Sequence, residues 1–172
     1  KSWTFDEMRR DINRIANVLV SIGVKRGDRV FLFLDRVPEL YLGLLAVLKC
    51  GGAAGPLFSA FGPEAVRDRV GDAGARALLT SPALVARVYE CMRDLPRLET
   101  ILITDRAGTG GHRFLPGEIS LECAVAGASD QFECVRTQPE EFAIMHYTSG
   151  TSGKPKGAAH VHMAGFRHYP TA

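Results

Sequence analysis

A chain of 172 residues can bury one sizeable core but not comfortably two, and its 46% hydrophobic and 23% charged residues are those of an ordinary globular protein, which excludes long disorder. Lysine and arginine number 21 against 19 acidic residues, so the formal charge of +2 lacks the cationic excess that non-specific phosphate-backbone binding takes, and nucleic acid is not an expected partner. Cys50, Cys91, Cys123 and Cys134 form no CxxC pair, no charged-then-apolar leader precedes them, and the longest apolar run, Leu40 to Leu48, falls well short of the roughly 20 residues of a membrane-spanning helix. The expectation is a reduced, cytoplasmic protein with no membrane partner, whose two ends read as cuts in a longer chain.

In chain order, Thr4-Phe5-Asp6-Glu7 has the spacing of a capping box, in which the Thr4 hydroxyl takes the Glu7 amide and the Glu7 carboxylate takes the Thr4 amide. The helix it starts carries Met8, Ile12, Ile15, Ala16, Leu19 and Ile22 on one stripe, and Gly23 suits a left-handed end. Residues 29–34 are apolar almost throughout, as in a parallel strand covered on both faces. Helical periodicity follows over 38–50 and stops at Gly51-Gly52. There Tyr41, Leu44, Leu45 and Leu48 are the expected core stripe, with an oligomer interface as the alternative if they are exposed.

A strand at 53–58 completes a βαβ unit. The alternation continues with a helix opened by Gly62-Pro63-Glu64, a strand at 76–80, a helix opened by Ser81 as cap and Pro82 as first helical residue, and a strand at 100–104. Residues 106–111 read as a surface loop, 116–125 as a helix and 141–147 as a further strand. Asp6 paired with Arg10, and Arg67-Asp68-Arg69, read as solvated helix faces, and Cys50 as a small buried hydrophobe. The pattern predicts an α/β fold, a mostly parallel sheet with helices on both faces, in one unit over residues 1–172.

The chemistry is concentrated at 147–157, Tyr-Thr-Ser-Gly-Thr-Ser-Gly-Lys-Pro-Lys-Gly, directly after a predicted strand. Gly150, Gly153 and Gly157 open backbone conformations closed to residues with a Cβ, so successive amides can turn toward one anion. Thr148, Ser149, Thr151 and Ser152 add hydroxyl donors, and Lys154 or Lys156 can set an ammonium on a phosphate. A Walker A loop is disfavoured, because two residues rather than four separate Gly150 from Gly153 and Pro155 stands where Ser or Thr would follow the lysine. The dinucleotide fingerprint G-x-G-x-x-G is absent. A Ser/Gly-rich surface loop without a ligand is the competing reading. His146, His160, His162 and His168 have no Cys or carboxylate at ligand spacing, although His160 and His162 would share one face of a strand, so no metal site is expected.

Residues 147–157 resemble the phosphate-binding signature of adenylate-forming enzymes, Tyr-Thr-Ser-Gly, then Ser/Thr, Gly, any residue and Pro-Lys-Gly, with Thr151-Ser152 in the reverse of the commoner order. Thr4-Phe5 and a helix bearing Asn13 and Asn17, then Gly27-Asp28-Arg29-Val30, Pro38-Glu39-Leu40 and Lys49-Cys50-Gly51-Gly52 resemble the entry half of these ligases in the usual order. Residues 55–66 and 157–162 are similar more narrowly to acetyl-CoA synthetase-type members, and medium-chain and aromatic acid ligases are similar enough to stay open. The resemblance implies the front of the large N-terminal domain of an ATP-dependent acyl-CoA ligase, which activates acetate or another short-chain carboxylic acid as an acyl-adenylate and hands it to coenzyme A, with Mg²⁺ as cofactor. It implies a phosphate loop of Thr148, Ser149, Gly150, Thr151, Ser152, Gly153 and Lys154, with Lys156 either joining it or bracing it through an ion pair, and His162 capping or packing near the nucleotide. The family's acidic Mg²⁺ motif, ribose-binding Asp, hinge and catalytic Lys are not found after Gly157, so no catalytic residue and no metal ligand is assigned, and the chain alone is expected to be inactive. The alternative is a non-catalytic module that binds ATP or phosphate.

Overall fold

The computed structural model describes residues 3–105, 111–148 and 155–167. Thr4 caps the first helix, α1 (Phe5–Ser21), as its spacing predicts. Its hydroxyl accepts from the Glu7 amide at 3.2 Å while Glu7 Oε2 accepts from the Thr4 amide at 2.8 Å, which satisfies two amides without a partner inside the helix. At the far end Gly23 sits at φ +87°, and the amides of Gly23 and Val24 reach back to the carbonyls of Val20 and Leu19. Ile12, Ile15, Ala16 and Leu19 are buried between, and Asp6 pairs with Arg10 at 2.6 Å on the wet face.

The elements after it are β1 (Arg29–Phe33), α2 (Pro38–Lys49), β2 (Ala53–Leu57), α3 (Pro63–Ala73), β3 (Ala77–Thr80), α4 (Pro82–Cys91), β4 (Thr100–Ile103), β5 (Glu118–Ser120), α5 (Leu121–Ala126), β6 (Phe142–Thr148), β7 (Lys156–Val161) and α6 (His162–Arg167). The strands make a seven-stranded sheet in the order β5-β4-β3-β1-β2-β6-β7, parallel except where β7 runs against β6. Alternation along β1 divides the core into two layers. Val30 and Leu32 pack with α1, α2 and α5, and Phe31 and Phe33 pack with α3 and α4. This is the expected α/β class, with helices on both faces. Among the described residues no helix is long and apolar enough to cross a membrane.

Three expectations are corrected. Residues 116–125 are not one helix: Gly117 at φ +89° passes its carbonyl to the Ile101 amide, Glu118–Ser120 pairs with β4 as an edge strand, and α5 begins only after Ser120, whose hydroxyl accepts from the Cys123 amide. The strand that carries His160 is β7, which ends at Val161 and leaves His162 outside it. The core face of α2 is also rotated from the expected one. Tyr41 is 56% and Leu45 39% exposed, and the buried positions are Glu39, Leu42, Gly43, Ala46 and Val47. The reason is the close approach of α2 to the sheet. A Cβ on Gly43 would lie 2.9 Å from Leu79 and 3.1 Å from Leu32, so the face that holds Gly43 turns inward, while the unbroken run without charge over 40–48 gives periodicity little phase to detect. Ser81 does cap α4 by position, but through its backbone carbonyl rather than its hydroxyl. Cys50 is buried as expected, and burial pushes its thiol up to about 12, which keeps it protonated and unreactive.

Glu118 holds the stretch around Phe114 to the sheet edge. Its carboxylate accepts from the Tyr89 hydroxyl, from the Leu115 amide at 2.8 Å and meets His112 Nε2 at 3.0 Å, with only 2% of the side chain exposed. Burial alone would raise the pKa of Glu118, but the three donors outweigh it and leave the pKa below its ordinary value. A depressed carboxylate stabilises above its unfolded pKa and loses that contribution as pH falls through the folded one. Glu118→Ala, which strands the Tyr89 hydroxyl and the Leu115 amide, is expected to cost about 1–3 kcal/mol in urea unfolding at neutral pH. The gap from the parent should narrow as the pH is taken below the usual carboxylate range.

Candidate functional site

β6 leaves the 127–141 segment, takes a place beside β2 at the pair Ala54 and Ile144, and runs parallel to it. Its last residue, Thr148, therefore lies at the carboxyl edge of the parallel strands, the edge where open α/β sheets receive ligands because loops and helix N-termini converge there. β7 returns antiparallel, with Tyr147 opposite Gly157 and Thr148 opposite Lys156. Two of the nominated residues, Thr148 and Lys156, are thus cross-strand partners, both exposed, at the mouth of the intervening segment. Ser149, Gly150, Thr151, Ser152, Gly153 and Lys154 lie outside the described residues.

Tyr147 anchors this mouth. Its hydroxyl donates to Asp72 Oδ2 on α3 at 2.7 Å, its ring centroid is 6.3 Å from that of Phe31, and a Cβ on Gly157 would stand 3.3 Å from the ring carbons. Burial, then the Asp72 hydrogen bond, raise the Tyr147 pKa above its ordinary value, so the phenol stays a neutral donor. Sequence reasoning did not find Asp72. It is one of several charged residues on α3, and nothing local to it announces a partner 75 positions away.

The root of β6 is held by Arg26, which forks onto Glu141, with Nε donating to Oε2 at 2.8 Å and Nη2 to Oε1. The Gln138 amide donates to Oε1 as well, at 2.9 Å. The Arg26 hydrogen bond, then that of the Gln138 amide, hold the Glu141 pKa down to about 2. The pair therefore contributes fully above the unfolded value of roughly 4.3 and loses its contribution as pH falls toward the folded one. Glu141→Gln should flatten the acid limb of stability between those two values, measured as urea midpoints at stepped pH. Because the pair is exposed, the effect is small and shrinks further in high salt.

His162 departs from expectation. It is the first residue of α6 rather than part of β7, and the amides of His162 and Met163, which have no partner within the helix, donate to the carbonyls of Glu141 and Pro139. That places it at the opposite end of the hairpin from Thr148 and Lys156, in a groove with Phe5, Met8 and Leu45, away from the expected nucleotide. His160 and His162 consequently share no strand face. His146 and His160 do meet, edge to face at 5.7 Å. Among the described residues no group of three His, Cys, Asp or Glu could hold a metal ion. A separate cleft of about 460 Å³ lies between α1, α2 and α5, lined by Asp11, Arg14, Glu39 and Glu122, and takes no residue from β6 or β7.

The segment of Ser, Thr, Gly and Lys between Thr148 and Lys156 thus begins and ends at the carboxyl edge of a parallel α/β sheet. Residues 1–168 match the AMP-binding enzyme family, and the chain belongs to it. It is 37% identical over 172 residues to an acetyl-coenzyme A synthetase of Bacillus subtilis (strain 168), covering 99% of this chain and 29% of that protein. It is 32% identical to an acetyl-coenzyme A synthetase of Methanothrix soehngenii, covering 92% and 25%. Among solved structures, an acyl-CoA synthetase of Brucella canis superposes with a TM-score of 0.84 at 32% identity, covering 95% of this chain and 29% of that one. The anthranilate CoA ligase AuaEII in complex with anthranoyl-AMP shares the fold, with a TM-score of 0.86 at 24% identity over 94% and 30%. The chain thus spans less than a third of the length of these relatives.

Proposed function

We propose that this chain is the phosphate-binding part, within the large N-terminal domain, of an ATP-dependent acyl-CoA ligase. The observation that carries the reading is the β6–β7 hairpin, which brings both roots of the Ser/Thr, Gly and Lys segment together at the carboxyl edge of the sheet in a chain of the AMP-binding family. In the reaction a carboxylate oxygen attacks the α-phosphorus of ATP, the bond to the β-phosphate oxygen breaks, and acyl-adenylate and pyrophosphate result. The thiol of coenzyme A, losing its proton, then attacks the acyl carbon and releases AMP. Anionic acid and polyphosphate repel each other, so donors and cations aimed at the phosphate oxygens supply the main catalytic contribution. By resemblance Thr148, Ser149, Gly150, Thr151, Ser152, Gly153 and Lys154 fill that role, with Lys156 either joining them or bracing the turn. Neither β6 nor β7 contains a carboxylate, and the work assigned to this hairpin is the holding of phosphate oxygens.

Acetate is the proposed acid, supported by the names of the relatives from Bacillus subtilis and Methanothrix soehngenii. The complete reading frame that carries this chain is expected to exchange labelled pyrophosphate into ATP with acetate, and less well with hexanoate or benzoate. The 172-residue chain alone is expected to give no acid-dependent exchange. A complete frame that exchanges with no acid overturns the ligase reading. Exchange strongest with benzoate keeps the class and discards acetate.

A further inference from the structure

Along the hairpin, alternate residues turn to opposite faces. Met145 and Tyr147 turn to the layer of α3 and α4, and the other face carries Ile144 and His146 on β6 with Ala158 and His160 on β7. The register sets His146 opposite Ala158 and His160 opposite Ile144, so the two histidines stand diagonally across neighbouring strands, a separation that aromatic side chains can span. They do span it, for the rings meet edge to face with centroids 5.7 Å apart. This is not the pair that spacing alone puts on one face, since His162 has left the strand. Both histidines are exposed. Neither makes a hydrogen bond or an ion pair among the described residues, so four ring nitrogens are open to a ligand. Ala158 and Ile144, their cross-strand neighbours, bring no polar side chain to compete for them.

We propose that His146 and His160 form a two-nitrogen site for a transition-metal dication such as Zn²⁺, clipping β6 to β7. Imidazole is a preferred ligand of zinc, copper and nickel, whereas Mg²⁺ takes oxygen, so the site is separate from the cofactor of the ligase reading and does not depend on that reading. A metal about 2.0–2.1 Å from one nitrogen of each ring lies roughly 3.2 Å from each centroid, and a tetrahedral angle then sets the centroids about 5.2 Å apart. The observed 5.7 Å exceeds that by roughly 0.5 Å, which rotation about the soft χ2 of two exposed imidazoles supplies while it turns a nitrogen of each toward a shared point. No third His, Cys, Asp or Glu among the described residues completes the set, so water fills the other positions and the affinity is that of a chelate of two. Lys156, exposed on the same face, opposes a dication only weakly through water. A metal held by both strands is lost when they part, so it stabilises their pairing by mass action.

The test is a titration of Zn²⁺ into the isotopically labelled 172-residue chain bearing Cys123→Ser and Cys134→Ser, which removes the exposed thiols that would compete for the metal. One equivalent is expected to bind, with the largest shifts on the imidazole signals of His146 and His160, and Mg²⁺ at the same concentration is expected to shift neither. His146→Ala and His160→Ala should each weaken Zn²⁺ about a hundredfold, the loss of one arm of a linked pair. His146→Gln and His160→Gln, which keep a polar surface, should behave as the alanine variants do. With the metal at about a hundred times its dissociation constant, hydrogen exchange of the amides in 144–147 and 157–160 should slow by up to about a hundredfold while that of β3 does not change. In His160→Ala that slowing should vanish. Zn²⁺ that fails to saturate, that moves His112 or His162 instead, or that binds either single variant as tightly as the parent overturns the site. So does a response to Mg²⁺ equal to that to Zn²⁺, or bound Zn²⁺ that leaves exchange in β6 and β7 unaltered. Pyrophosphate exchange in the complete reading frame bears on the ligase reading alone, so the two stand or fall separately.

Discussion

Gly55→Val is expected to lower the unfolding free energy by about 3 kcal/mol or more, at the upper end of what overpacking a core costs. Gly55 in β2 is the register partner of Phe31 in β1, and a Cβ built on it would lie 2.6 Å from two carbons of the Phe31 ring. Neither side can yield. Phe31 is wholly buried in the α3 and α4 layer, and the backbone of β2 is held between β1 and β6. The absent side chain at position 55 is thus filled by its neighbour's ring. Urea unfolding checks it: a clear fall in the midpoint is expected, with partial recovery when Phe31→Leu is added to remove the ring. An unchanged midpoint in Gly55→Val would mean that the β1–β2 packing described above is wrong. Because β2 carries β6, such damage should reach the candidate site as well.

Most of the sheet was legible because its signals are local. The Thr4–Glu7 box, the left-handed Gly23, and the Pro63 and Pro82 starts each state a backbone geometry within a few residues, and each element stands where these put it. Legibility ended where partners are distant. Glu118–Ser120 is too short for a period of two to register, and it is a strand because β4 presents an open edge and Glu118 finds Tyr89 from α4. The phase of α2 depends on how closely Gly43 lets it approach Leu79, a fact of packing rather than of pattern. His162 looked like the continuation of a strand beside the loop, and the hairpin carried it to the other end of the sheet. At the site, the residue types of the 147–157 signature could be read directly, and the pairing of Thr148 with Lys156 needed β7. Asp72 needed the whole fold.

Loss of both lysines of the signature, in Lys154→Ala/Lys156→Ala, is expected to reduce kcat/KM for ATP in the complete reading frame by about 10²–10³, the scale of losing preorganised stabilisation of phosphate charge. The single variants then divide the roles. Lys156 is exposed and opposite Thr148, at the root of the segment rather than its middle. If it brings its charge to the phosphates, Lys156→Ala alone carries a large share and Lys156→Arg restores part of it, since the guanidinium keeps the charge but changes its shape. If it only braces the turn, Lys154→Ala carries nearly the whole loss. A double variant as active as the parent would remove the phosphate-holding role from this part of the chain. Stability should barely respond to Lys156→Ala, as befits an exposed side chain, so unfolding midpoints separate damage to the fold from damage to the function.

The account as a whole turns on whether a triphosphate sits where β6 ends and β7 begins. The direct measurement is a titration of ATP into the isotopically labelled chain with the backbone amides followed by NMR. Shifts are predicted to concentrate at residues 148–157 and to weaken sharply in Lys154→Ala/Lys156→Ala. Amides that stay still there, or that move instead around Glu39 and Glu122 in the cleft between α1, α2 and α5, would contradict it.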